Sequence, residues 1–150
     1  MNNTTSKTSL GIITIATGRY YDEFIPALKK SVDLYLHQPN LDIHFYCFTD
    51  SLHQEPGVHH FPIKHLAWPF STLMRFHWIK EQLPTLGQHD FLLYMDADMK
   101  LVSPMPTDIF SYPLVAVQHP GFVGSAAPFE LDRSDSAYVA PPLRKHYFQG

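Results

Sequence analysis

The chain has 150 residues, 45% of them hydrophobic, and a net charge of −3 at pH 7. This is apolar enough for one folded α/β or α+β domain, and it excludes a disordered polyelectrolyte. The slight negative charge, with no basic run, argues against nucleic acid as the main partner.

The opening residues, 1–9, are polar and are expected to be disordered; they show no secretory h-region. No run of eighteen apolar residues is present, so no transmembrane helix is expected. Cys47 is the single cysteine, which suits a reducing, cytoplasmic setting, and its apolar neighbours mark it as a core thiol.

Leu10 to Ala16 is a short, continuous, β-branched run, the pattern of a parallel strand buried on both faces. Thr17-Gly18-Arg19 breaks it. From Tyr21 to Leu36, Phe24, Leu28, Val32 and Tyr35 recur at helical spacing, with acidic residues early and lysines later. Pro39-Asn40 stops that helix, and Leu41 to Phe48 is a second strand. The resulting β-α-β opening predicts a parallel sheet with helices on its faces.

Beyond Pro56-Gly57, residues 61–63 form a short third strand, and Ser71 to Leu83 reads as a helix with Ser71 as its N-cap. Leu73, Phe76 or His77, Lys80 and Leu83 follow its turn spacing. Asp90 to Met95 is another buried strand, followed at once by Asp96-Ala97-Asp98. Leu114 to Val117 is a further strand candidate. Seven of the 13 prolines fall between Pro104 and Pro142, so the last third should be rich in loops.

The place of the acidic pair matters more than its composition. Open α/β sheets bind ligands beyond the carboxyl ends of their strands. Two carboxylates one residue apart, at such an end, can share a Mg²⁺ or Mn²⁺ ion that bridges diphosphate oxygens. Asp-x-Asp alone reads more readily as a solvated turn, and the buried strand directly before it brings the two readings level. The ten histidines lack zinc-ligand spacing, and Trp68 and Trp78 read as packing residues rather than sugar platforms.

Phe91-Leu92-Leu93-Tyr94-Met95-Asp96-Ala97-Asp98-Met99 resembles the strand-plus-Asp-x-Asp segment of family 6 glycosyltransferases, the histo-blood-group A/B and α1,3-galactosyltransferase type. His119-Pro120-Gly121-Phe122-Val123-Gly124-Ser125 is similar to that family's His-Pro-Gly-Phe-x-Gly-Ser segment. Thr14 to Tyr20, Tyr46 to Asp50, Asp132 to Val139 and His146 to Gly150 extend the resemblance in the same order along the chain.

The resemblance implies a GT-A type nucleotide-sugar-binding α/β fold. The activity it implies is retaining transfer of galactose or N-acetylgalactosamine from a UDP sugar to a galactose 3-hydroxyl. By the same resemblance, Ile15, Ala16, Thr17 and Tyr20 would line the uridine pocket. Asp96 would touch the ribose and the metal, Asp98 would be the stronger metal ligand, and Arg75 would face the donor sugar and diphosphate. His119 and Phe122 would hold the acceptor, a galactose-containing glycan or a glycolipid presented at a membrane surface.

Two departures stand out. Many bacterial members carry Asn-x-Asn and work without metal, so Asp96 and Asp98 imply dependence on Mn²⁺ or Mg²⁺. The family's catalytic glutamate lies beyond the segment matching Gly150. Residues 10–150 would therefore be the N-terminal portion of the catalytic domain, expected to be inactive in transfer alone. A non-catalytic UDP- or sugar-binding module remains open. So does a nucleotidyltransferase, although no Gly-rich basic loop follows the first strand to hold a triphosphate.

Overall fold

The computed structural model describes residues 7–117 and residue 140. The chain divides into two compact units, Met1–Pro106 and Thr107–Gly150. The first contains four strands: β1 (Thr8–Ile15), β2 (Leu41–Thr49), β3 (Val58–Pro62) and β4 (Phe91–Tyr94). Its helices are α1 (Arg19–Tyr35), α2 (Phe70–Leu73), α3 (Arg75–Glu81) and α4 (Leu83–Leu86). In the second unit, the described residues include a 3₁₀ turn, Thr107–Ser111.

All strand pairings are parallel, in the order β3-β2-β1-β4. β1 is therefore central, with Leu10, Ile12, Ile13 and Thr14 all buried. The expected α/β fold is present: a parallel sheet flanked by helices. β3 is an edge strand, where Pro62 removes no ladder donor that a further strand needs.

The helices divide between the faces of the sheet. Tyr21 and Ile25 of α1 pack with Ala16 and Cys47 on one side. Trp78 of α3 and Leu86 of α4 pack with Ile13, Tyr46 and Phe48 on the other. Burial places Cys47 in the core and pushes its thiol up to about 12, so it stays protonated. Fully burying a side chain such as Ile25 or Leu28 contributes about 2 kcal/mol. Among the described residues, no helix is long and apolar enough to cross a membrane.

The sequence expectations need several corrections. The inward stripe of α1 is Tyr21, Ile25, Leu28 and Val32, continued by Leu36 after the helix end, so Phe24 and Tyr35 flank it instead of belonging to it. An aromatic with a hydroxyl can sit fully inside because its oxygen is satisfied: Tyr21 Oη hydrogen-bonds His60 Nε2 at 2.6 Å and accepts from the Glu55 amide at 2.9 Å. The third strand starts earlier, at Val58, and β1 starts at Thr8.

The single helix expected over 71–83 is three short ones, broken at Met74 and Gln82. Pro69, not Ser71, precedes the first of them, and it makes no side-chain cap. The buried residues of α3 are Arg75 and Trp78, whereas Leu73 and Phe76 are exposed. Leu114 to Val117 forms no strand. Apolar, β-branched composition makes a strand only when a neighbour pairs with it, and none of the described strands does so.

Candidate functional site

The strand order creates one special position. From β1 the chain moves to β2 and β3 on one side, then crosses back so that β4 lies on the other. The connection leaving β1 enters α1 on one face of the sheet, whereas the helices leading into β4 pack on the other, and a crevice lies between the two strand ends. Such a switch point is where open α/β sheets bind ligands. A cavity of about 420 Å³ opens there.

One wall comes from the end of β1 and the start of α1, through Ile15, Thr17 and Tyr20. The turn between them is fixed by Gly18, whose φ of 56° is open to glycine and costly for residues with a Cβ. Its amide donates to Asp50 Oδ1 at 2.8 Å, which ties the turn to the end of β2. Tyr20 is 45% exposed, its ring tilted against Phe24 at 5.2 Å between centroids. Ala16 is only 1% exposed and packs in the core beneath, so its side chain is not on the wall.

A second wall is the end of β4, with Tyr94, Asp96, Ala97 and Asp98. The Met95 amide still donates to Ile13 O at 2.9 Å, so the acidic pair leaves the sheet one residue after its last ladder bond. Ala97 is buried and anchors the turn, while Asp96 is half-buried and Asp98 exposed. Both aspartates line the cavity.

The third wall comes from the β3–α2 connection and from α2 and α3, with His65, Trp68, Ser71, Thr72 and Arg75. His65 Nδ1 lies 3.0 Å from Thr17 Oγ1, linking this wall to the first. Arg75 is 7% exposed, and among the described residues no carboxylate lies within ion-pairing distance of it. Its guanidinium carbon instead sits 4.5 Å from the Tyr94 ring centroid and 5.9 Å from that of Phe76. A buried, permanently charged guanidinium without a counter-ion is costly, and here it borders a cavity that an anion can enter.

Tyr94 joins the two charged walls. Its hydroxyl donates to Asp96 Oδ1 at 3.0 Å. Its pKa is raised, first by burial and then by the Asp96 charge, so the phenol keeps its proton and remains a donor.

Of the residues singled out in the sequence, Ile15, Thr17, Tyr20, Arg75, Asp96 and Asp98 converge on this one cavity, and Ala16 lies under it. His119 and Phe122 lie outside the described residues. Sequence reasoning gave no site role to Tyr94, His65 or Trp68, which also line the cavity. Tyr94 carried a usable signal, since residues two apart in extended chain share a face and Asp96 is two beyond it. Trp68, expected to pack, is 83% exposed on the cavity rim, whereas Trp78 is the packing residue. Trp68 stands in a turn next to Pro69, outside any helix or strand that would carry it into the core.

Asp96 and Asp98 are the side chains of this cavity that could contribute to a hard divalent-cation site. Two oxygen donors at the mouth of a cavity, with further positions left to water and phosphate, match how such ions bind with nucleotide substrates. Among the described residues no third His, Cys, Asp or Glu completes a cage.

No family model matches the chain. It is similar to the O-antigen biosynthesis glycosyltransferase WbnI of Escherichia coli, at 24% identity over 149 residues. That alignment covers 94% of this chain and 63% of that protein, so the chain spans less than two thirds of its relative's length. The parallel sheet and its switch-point cavity agree with a GT-A-like glycosyltransferase domain.

Proposed function

We propose that the chain carries the donor-binding end of a metal-dependent glycosyltransferase that uses a UDP sugar. The observation that carries this reading is the pairing of charges in one cavity: Asp96 and Asp98 on one wall, and the buried, unpaired Arg75 on another. Carboxylates alone would repel a diphosphate, and a guanidinium alone would not hold a cation. Together they fit a metal–diphosphate, whose ion satisfies the aspartates and whose oxygens satisfy the arginine.

In this reading Asp96 and Asp98 hold Mn²⁺ or Mg²⁺. When bound, the ion would stabilise the charge that develops on the departing nucleoside diphosphate. Arg75 contributes fixed positive charge to the same oxygens from a low-dielectric position, so no reorganisation is needed as the bond breaks. Tyr20 offers an exposed ring for stacking a uracil base, and Thr17 with His65 offers polar groups beside it. Ile15 closes the apolar floor.

The finer reading follows the family 6 resemblance: galactose or N-acetylgalactosamine is transferred to a galactose 3-hydroxyl with retention. The acceptor would be a galactose-containing glycan, including a lipid-linked saccharide handled at the cytoplasmic membrane surface. Similarity to an O-antigen glycosyltransferase supports glycosyl transfer of this general kind.

Calorimetric titration of the chain with UDP, with and without Mn²⁺, tests the site directly. The expected result is that Mn²⁺ tightens UDP binding and that Asp98→Asn removes this gain. A chain that is folded by circular dichroism yet binds no UDP under either condition sinks the assignment.

A further inference from the structure

We propose that Tyr94 is a positioning residue of this site, with two separable jobs. Its hydroxyl orients Asp96 toward a bound cation, and its ring face seats Arg75. The inference rests on the metal–diphosphate reading above.

The argument starts from what would happen without it. Arg75 and Asp96 line the same cavity, Arg75 buried and Asp96 half-buried. Opposite charges in such a place attract strongly and tend to collapse into a bidentate pair. That pair would neutralise both groups and leave neither for a ligand. Yet among the described residues Arg75 makes no ion pair.

Tyr94 stands between them and gives each a different partner. The carboxylate receives an O–H donor at 3.0 Å on Oδ1 alone, which leaves Oδ2 outside that bond. The guanidinium receives the ring at 4.5 Å from its carbon. A guanidinium lying over a ring spends its π face, while its N–H donors point outward in its own plane, where a phosphate can meet them.

Tyr94 can hold this geometry because it is itself held. It is the last residue of β4, in register with Ile13 of β1, and it packs against the cluster of Ile13, Tyr46, Phe48, Trp78 and Leu86. A rigid strand residue thus fixes the separation of two charged groups that belong to different elements. Phe76, the other ring near Arg75, is 73% exposed and cannot supply the same support.

Two variants divide the jobs. Tyr94→Phe keeps the ring and deletes the hydroxyl, whereas Tyr94→Leu removes both. Mn²⁺ binding in the presence of UDP, followed by the electron paramagnetic resonance signal of the free ion, reads the first job. UDP binding in chelator, followed by calorimetry, reads the second. Tyr94→Phe is expected to weaken Mn²⁺ binding about 10-fold, the usual loss when a partner of a metal ligand is removed, and to leave metal-free UDP binding unchanged. Tyr94→Leu is expected to weaken both.

A double-mutant cycle separates positioning from a general loss of packing. In an Asp96→Ala background, Tyr94→Phe should cost no further Mn²⁺ affinity. A second full loss there, or wild-type Mn²⁺ affinity in a folded Tyr94→Phe chain, overturns the positioning role while the site assignment stands. A folded wild-type chain that binds neither UDP nor Mn²⁺ overturns both.

Discussion

The two ends of the same sheet treat their polar side chains in opposite ways. At the amino end, Ser9, Tyr46 and His89 satisfy one another: His89 Nδ1 lies 2.6 Å from Ser9 Oγ, and its Nε2 lies 2.8 Å from Tyr46 Oη. His44 packs against His89 at 4.7 Å and contacts Asp42 at 3.1 Å. Even the space is committed, since a Cβ at Gly11 would come within 2.8 Å of the His89 ring. At the carboxyl end, Arg75 and the Asp96/Asp98 pair border a cavity and do not pair with each other. Histidine count would have drawn attention to the first end. Satisfied polar groups are structure, while convergent unsatisfied ones are where a ligand completes the network.

This contrast makes opposite predictions for substitutions at the two ends. The largest effect is expected from Arg75→Leu, which should weaken UDP binding in the presence of Mn²⁺ by roughly 2 kcal/mol, about 30-fold, as a charged hydrogen-bonding partner is lost. Because Arg75 has no counter-ion to strand, the melting temperature should hold or rise. Calorimetry and a thermal melt on the same sample check both halves. A melt that drops steeply with UDP affinity intact would reverse the assignment of the two ends.

His89→Ala should do the opposite. Losing both hydrogen bonds is expected to cost about 2 kcal/mol of stability by denaturant unfolding, with UDP affinity unchanged. The same residue sharpens the contrast through pH. Burial, reinforced by His44, lowers the His89 pKa, and burial with His53 lowers that of His60. The folded state therefore favours their neutral forms. Their contribution is fully present above the ordinary histidine value of about 6.5 and is lost as pH falls from there through the lower folded values. The melting temperature should decline across that window, and less steeply in a folded His89 variant.

The smallest effect belongs to Thr14, at the centre of β1. Its hydroxyl is fully buried with no hydrogen-bond partner among the described residues. Thr14→Val, nearly the same shape, should stabilise the chain by about 1 kcal/mol by removing an unsatisfied polar group. An unchanged or lowered unfolding midpoint would show that this oxygen has a partner in solution.

Where the sequence misled, the reason was competition between local pattern and partner. The 71–83 segment has helical composition, but its inward face was set by what the sheet and cavity offered. Arg75 turned in beneath Tyr94, and the apolar Phe76 turned out. Leu114 to Val117 has strand composition without a pairing strand among those described. The α1 stripe was offset because Tyr21, read as a boundary residue, is buried by virtue of hydroxyl partners from β3 and its preceding loop.

By itself, the sequence determined the β-α-β opening, the buried character of β1, and the position of Asp96 and Asp98 at a strand end. These follow from periodicity and chain order, which are properties of neighbouring residues. β4, expected to be buried, is only partly so, with Leu92 exposed. Only the tertiary structure decided that β4 lies beside β1 and not beside β3, and so where the crevice opens. Only it brought Arg75 and Trp68 to that crevice, from segments whose local patterns carried no such instruction. Strand order and side-chain convergence depend on contacts between residues far apart in the chain, and local spacing cannot encode them.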